Sequence, residues 1–359
     1  MSMRIDEVAL PESIDDESAA AALFRGFVDT RNLVRREAWG GSADLDFSYR
    51  ETFMSARDSV EERQHRFAAV VDDRVVGVCR VEVSRHEMDA PARLLISVLP
   101  QHRRQGIGSA LLTAAAAVIR DEGRAYTQLG VEHPEGPGPR LVASTGHGSI
   151  PADNAEAQAL TKAGFTLEQA ERVSRLELDA ASVEHLAEQL EAATTRSAGY
   201  RLETWQGKTP KHLLQTMAAL GARMSTDAPA GGLEAVEEVW HADRLAAFEH
   251  NEIDGQGRRY LQGAAFDGDE SVAYTKLLLP NTGTRQAIQQ DTLVHGDHRG
   301  HSLGLRVKAA NLLQLRQEHP NFDRVITWNA EENQHMLAVN DQLGFGRVLV
   351  EGAWQRRER

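Results

Sequence analysis

One cysteine in 359 residues, Cys79, leaves no partner for an internal disulfide and excludes a cross-linked secreted scaffold. No apolar run approaches the roughly 20 residues that a membrane-spanning helix needs, and segments such as Leu111–Ile119 stop well short. The opening residues, Met1-Ser2-Met3-Arg4-Ile5-Asp6-Glu7, lack the apolar core of a secretory signal. Positive charge is in deficit as well. Forty Lys+Arg against 53 Asp+Glu leave a net charge of −13, which repels nucleic acid and anionic lipid and favours cationic partners. Hydrophobic residues at 41% and charged residues at 26% exclude a disordered or collagen-like chain. The expectation is a cytoplasmic protein, monomer or homodimer, with no nucleic-acid and no membrane partner.

What the chain does have is length for two domains of about 150 residues each and an approximate internal repeat. Leu94–Pro100 followed by Gln101-His102-Arg103-Arg104-Gln105-Gly106-Ile107-Gly108 is an apolar strand, a polar turn and the start of a helix. Thr292-Leu293-Val294-His295-Gly296-Asp297-His298-Arg299-Gly300-His301-Ser302-Leu303-Gly304 repeats the plan, with Arg103 and Arg299 lying 196 residues apart. Each copy ends in a second helix closed by Gly-Phe, Gly164-Phe165 and Gly344-Phe345, where glycine suits a left-handed terminator. The first copy holds 16 extra residues, which fit the Gly/Pro-rich stretch 132–151, read as a surface loop.

Two related domains follow: residues 1–180, a linker at 181–198, and residues 199–359. Ser174–Leu178 reads as a last strand and Ala180–Ala193 as a linker helix. Hairpins are expected at Phe67–Val71 with Val75–Val83, and at Tyr260–Phe266 with Ser271–Leu279. Each half runs strand, helix, hairpin, strand, helix, strand, helix, strand. The fold class is α/β, with mixed sheets.

Gly106 and Gly108 permit close approach to a ligand, the helix start offers backbone N–H groups, and Arg103 and Arg104 add fixed charge, so the turn suits a phosphate. A Rossmann site is excluded because Leu111 stands where its third glycine belongs, and a P-loop because no Gly-Lys-Ser/Thr follows. The turn resembles the acetyl-CoA loop of the GNAT superfamily of N-acetyltransferases, Gln/Arg-x-x-Gly-x-Gly/Ala after an apolar strand. Arg103–Gly108 satisfies it, and Arg299–Gly304 is similar with Ser302 at the middle glycine. The Asn-led helix ending in Gly-Phe is a second family signature. The chain is identified as two tandem GNAT-like acyltransferase domains, an arrangement also found in the mycothiol synthase family.

The resemblance implies that the strand before each loop splays from its neighbour and meets the pantetheine arm of acetyl-CoA, or of another acyl-CoA, through Ile96 and Val98 in the first half and Thr292 and Val294 in the second. It further implies that Arg103, Arg104, Gln105, Gly106, Ile107, Gly108 and Ser109, and likewise Arg299, Gly300, His301, Ser302, Leu303 and Gly304, hold the pyrophosphate. Asn333 and, displaced by one, Asn154 match the family asparagine at the cofactor arm. The family's usual acid, a Tyr four residues before the terminal Gly, is replaced by Leu160 and Asn340.

A protonated amine of pKa about 10.4 must lose a proton before it attacks a thioester. Asp291 is the leading base, on the opposite strand face from Val294. Glu331 and Glu332 follow strand Val325–Trp328 and could act through water, and Asn340 is a hydrogen-bond donor. The first half offers only Ser97 on its equivalent strand, so its intact loop suits it to hold CoA while the chemistry leans to the second half. His295, His298 and His301 recur every three residues but lack a completing Cys or carboxylate, so no metal is expected. Cys79 reads as inert core, and the basic tail Gln355–Arg359 as a frayed terminus. The expected function is acetyl transfer to an amine of a small molecule, a cationic one suiting the acidic balance. The alternative is a catalytically silent CoA-binding regulatory or scaffold protein.

Overall fold

The structure, a computed structural model, describes residues 3–358. The first half contains β1 (Met3–Glu7), α1 (Ala19–Ala38), α2 (Tyr49–Asp58), β2 (Glu62–Val71), β3 (Arg74–Ser84), β4 (Ala92–Val98), α3 (Ile107–Asp121), β5 (Tyr126–His133), β6 (Arg140–Val142), β7 (Ser149–Pro151), α4 (Ala155–Lys162) and β8 (Thr166–Glu177). Helix α5 (Ala180–Arg196) follows, occupying most of the stretch read as a linker. The second half contains β9 (Arg201–Gln206), α6 (Leu214–Ala222), α7 (Met224–Asp227), α8 (Ala242–Glu249), β10 (Arg259–Asp267), β11 (Glu270–Leu279), β12 (Gln286–Val294), α9 (Leu303–Glu318), β13 (Arg324–Ala330), α10 (Gln334–Gln342) and β14 (Gly346–Arg357). Among the described residues, no helix is long and apolar enough to cross a membrane.

Local chemistry sets these boundaries. Ser18, Asp179 and Asn154 cap α1, α5 and α4 by accepting from the N–H three residues on. The turn between β2 and β3 is Asp72-Asp73, both left-handed at φ +48° and +59°, a conformation Asp tolerates.

The sheet has 12 strands in the order β1-β2-β3-β4-β5-β14-β8-β13-β12-β11-β10-β9. The halves exchange their last strands: β8 pairs with β13 of the second half, and β14 inserts between β5 of the first half and β8. Val350 and Trp354 of β14 are accordingly buried in the first half's core with Leu111, Ile119, Leu129 and Ile150. Leu176 and Leu178 lie in the second half's core with Leu261, Leu312 and Phe345.

Two local expectations are corrected. The stretch 132–151 is not an unstructured loop, since it carries the end of β5 and the β6–β7 hairpin. The tail is not frayed: Gln355–Arg357 pair with Gln128–Tyr126 of β5, and Trp354 beside them is 0% exposed. Arg359, with Met1 and Ser2 at the other end, lies outside the described residues.

Candidate functional site

Both halves contain a parallel pair that parts. β4 pairs with β5 only at Ala92 and Arg93, although it runs to Val98. β12 pairs with β13 only over Gln286–Ile288, although it runs to Val294. Beyond those points each pair diverges, and backbone groups along the inner lips lose their strand partners.

The turns after the splayed strands are built alike. Leu99 N–H donates to Val76 O at 2.9 Å and His295 N–H to Val272 O at 2.8 Å. Short 3-10 turns at Pro100–His102 and Gly296–His298 follow. Arg104 and Gly106 are left-handed at φ +61° and +84°, and Gly300 and Ser302 at φ +85° and +60°, so Ser302 adopts the conformation of the glycine it replaces. Residues 103–108 and 299–304 are thus strand-to-helix junctions whose helix ends offer unsatisfied N–H groups, a geometry suited to a phosphate. Ile107 and Leu303 turn their side chains into the core, leaving only their backbone to a cofactor. A Cβ on Gly304 would sit 3.4 Å from Val294 Cγ2, and one on Gly108 3.9 Å from Val98 Cγ2, so the glycines let helix approach strand.

The halves then diverge. Arg103 is tied down: its Nε donates to Val98 O at 3.1 Å, and its guanidinium pairs with Glu37 at 2.5 Å and Glu156 at 3.0 Å. It therefore occupies one of the carbonyls expected to meet the pantetheine arm. Asn154 caps α4 and donates to His133 Nδ1 at 2.5 Å. His133 is buried, which pushes its pKa down to about 4 and keeps the ring neutral.

In the second half Arg299 is exposed and its nearest ionic partner, Asp227, is 3.8 Å away. Here lies a cavity of about 1250 Å³. Thr292, Val294, Arg299, Gly300 and Asn333 line it, together with Asp291, Glu238, Lys276, Tyr274 and Trp240. Residues 228–241, which join α7 to α8, roof it. This strap is fastened to the central strands: Gln169 donates to Pro229 O at 3.0 Å, Gln128 to Glu234 O at 2.8 Å, and Glu234 N–H to Gln355 Oε1 at 2.7 Å.

A β-bulge aims the acid into this space. Thr275 faces Thr292 and Leu277 faces Gln289, so Gln290 and Asp291 together oppose Lys276. The bulge also brings Gln289 onto the face of Thr292, where its Nε2 donates to Thr275 Oγ1 at 3.0 Å. Asp291 is reached by water through the cavity yet walled by protein. That enclosure raises its carboxyl pKa, with Lys276 opposing the rise and Glu238 adding to it. Lys276 Nζ lies 4.1 Å from the Tyr260 ring centroid, a cation–π contact inside an apolar strand, and burial lowers its pKa. The β3–β4 pairing carries no such bulge, and Leu95 stands at the place of Asp291 in the 196-residue repeat.

Asn340 is buried, accepting from Lys308 Nζ at 2.7 Å and donating to Asn329 Oδ1 at 2.6 Å. Asn333 caps α10 through Met336 N–H at 3.2 Å. Glu332 is turned to Gln169, from which it accepts at 2.7 Å, and Glu331 to Arg347 at 2.8 Å, so neither shares the position of Asp291. Of the three histidines, His295 caps its own turn and His298 bonds the Tyr200 hydroxyl at 3.0 Å, with exposed His301 5.5 Å from the Tyr200 ring. Cys79 is fully buried and its thiol is pushed up to about 12 by burial. Sequence reasoning missed Lys276 and Lys308, each set in an apolar stretch. Aligning the two copies shows the second, since Leu112 stands 196 residues before Lys308.

Residues 62–140 match the Acetyltransferase (GNAT) domain family. No curated protein shows significant sequence similarity to the chain. Among solved structures, a tandem GNAT protein from the clavulanic acid biosynthesis pathway is similar with a TM-score of 0.72 at 24% identity, over 100% of this chain and 99% of that one. A GCN5-related N-acetyltransferase from Sphaerobacter thermophilus is similar at TM-score 0.63 and 12% identity, over 99% and 96% of the two chains. Saccharomyces cerevisiae N-myristoyltransferase, solved with bound myristoyl-CoA, is similar at 0.57 and 12% identity, over 100% and 80%. Residues 62–140 are thus similar to a GNAT acetyltransferase domain, and over its whole length the chain has the fold of a tandem GNAT protein.

Proposed function

We propose that this protein transfers the acetyl group of acetyl-CoA to an amine of a small molecule, and that the second half does so. The observation that carries the reading is the cavity itself, continuous from the splay of β12 and β13 to a chamber bearing Asp291 and Glu238. At about 1250 Å³ it exceeds the roughly 300–1,000 Å³ of common ligand pockets, leaving room for a cofactor arm and an acceptor together. A longer acyl group is compatible with that volume.

Backbone groups of Thr292 and Val294 would hold the pantetheine arm, with Asn333 beside it. Arg299, Gly300, His301, Ser302, Leu303 and Gly304 would hold the pyrophosphate at the start of α9. The amine attacks in its neutral form, and Asp291 takes the proton that its nitrogen sheds as the new bond forms. Its raised pKa makes it a stronger base than an ordinary carboxylate. Asp291 and Glu238 place carboxylates in the chamber that suit such an acceptor.

The first half serves as a structural partner. Its loop arginine is held by Glu37 and Glu156, and its core depends on β14. The test is release of free thiol from acetyl-CoA across a panel of amines. Acceptor-dependent release supports the reading. Tight CoA binding with no release for any amine supports the silent CoA-binding alternative.

A further inference from the structure

Lys308 sits in the second turn of α9, 1% exposed, and lines the cavity. Its Nζ donates to Asn340 Oδ1 at 2.7 Å and lies 5.3 Å from the Phe345 ring centroid. Among the described residues no carboxylate forms an ion pair with it, and burial alone shifts its titration. An ammonium has three protons to donate and Asn340 takes one, so the others are free to face the cavity. Asn340 is itself fixed, its amide donating to Asn329 Oδ1 at 2.6 Å.

The first half shows that this frame does not require a lysine. Leu112 occupies the equivalent of Lys308, and Leu160 that of Asn340, both packed into apolar core. A buried cation without a counter-ion costs stability where leucine would add it. The polar pair occurs only in the half that has the open cavity. Burial also brings the Lys308 ammonium down to about 7, so near neutrality it can both release and regain a proton.

Resting on the acyl-transfer reading above, we propose that Lys308 is the acid of the reaction, giving a proton from Nζ to the sulfur as the carbon–sulfur bond breaks. The neutral acceptor nitrogen forms the new bond to the acyl carbon and its surplus proton passes to Asp291. The carbon–sulfur electron pair goes to sulfur and is protonated by Lys308. The products are the amide, CoA thiol, neutral Lys308 and protonated Asp291, and exchange of one proton each with water restores the site. Asn340 is a positioning residue that orients Nζ.

Lys308→Met and Lys308→Arg, made in the full chain, test this with two readouts. Thiol release should fall about a hundredfold or more in kcat for both, with KM for acetyl-CoA little changed. Arg keeps the cation but does not release its proton near neutral pH, so it carries the test if Met perturbs folding. Independently of turnover, the ultraviolet absorbance of bound CoA thiolate, titrated with pH, should show the thiol ionising at lower pH in the wild type than in Lys308→Met. Wild-type turnover with kcat unchanged in both variants overturns the proposal and leaves the acyltransferase reading intact. If the wild type acetylates no amine, that reading falls, and the thiolate titration decides the matter: identical curves overturn the role of Lys308, and separated curves support it.

Discussion

Gly106 and Ser302 hold the same left-handed backbone, at φ +84° and +60°, 196 residues apart in the two loops. A side chain at Gly106 would meet nothing within 4 Å, so its cost there is backbone strain alone. Gly106→Ser should lower stability by about 1 kcal/mol, read from urea unfolding. It should leave acetyl-CoA affinity unchanged in calorimetry, because the proposed cofactor cleft lies in the other half. A large loss of affinity would move the cofactor to the first half.

Asp291 supports a prediction about rate and pH. The base must be ionised, and enclosure raises its pKa. The rate kcat/KM should therefore fall as pH drops through a value above the ordinary carboxylate pKa of about 3.9. Asp291→Asn should cut kcat about a hundredfold while CoA affinity stays constant. A variant with wild-type kcat would remove Asp291 from the chemistry.

The exchanged strand can be tested through Trp354. It lies near the end of the chain yet is fully buried in the first half's core. Trp354→Ala should cost about 3–5 kcal/mol in urea unfolding. A cost below about 1 kcal/mol would contradict the exchange.

Glu132, Glu351 and Glu171 stand opposite one another on β5, β14 and β8. Burial, then Glu171 and Glu132, hold Glu351 well above the usual carboxylate range. Its folded pKa exceeds its unfolded one, so stability is lost as pH rises from the unfolded value of about 4.3. Glu351→Gln should be more stable than the wild type at pH 8, by about 1 kcal/mol, and no more stable near pH 4. An advantage independent of pH would show that charge is not its cause.

The loops, the helix ends and the hairpins were legible because glycine, Asp-Asp turns and capping side chains act locally. The repeat at 196 residues carried both strand-to-helix loops. The strand exchange was not legible, since β8 and β14 are both amphipathic strands that either half could accept, and their partners are chosen by packing across the whole sheet. For the same reason the tail, read as frayed, is a central strand. The bulge at Asp291 carries no glycine or proline to announce it. Lys276 and Lys308 look like interruptions in apolar runs until the fold shows that both line one cavity.

The most direct test is a crystal structure with acetyl-CoA. One cofactor is predicted, its pyrophosphate at residues 299–304, its pantetheine between β12 and β13, and its thioester between Asp291 and Lys308. Density for the cofactor only between β4 and β5, with the second cavity filled by solvent, would contradict the account.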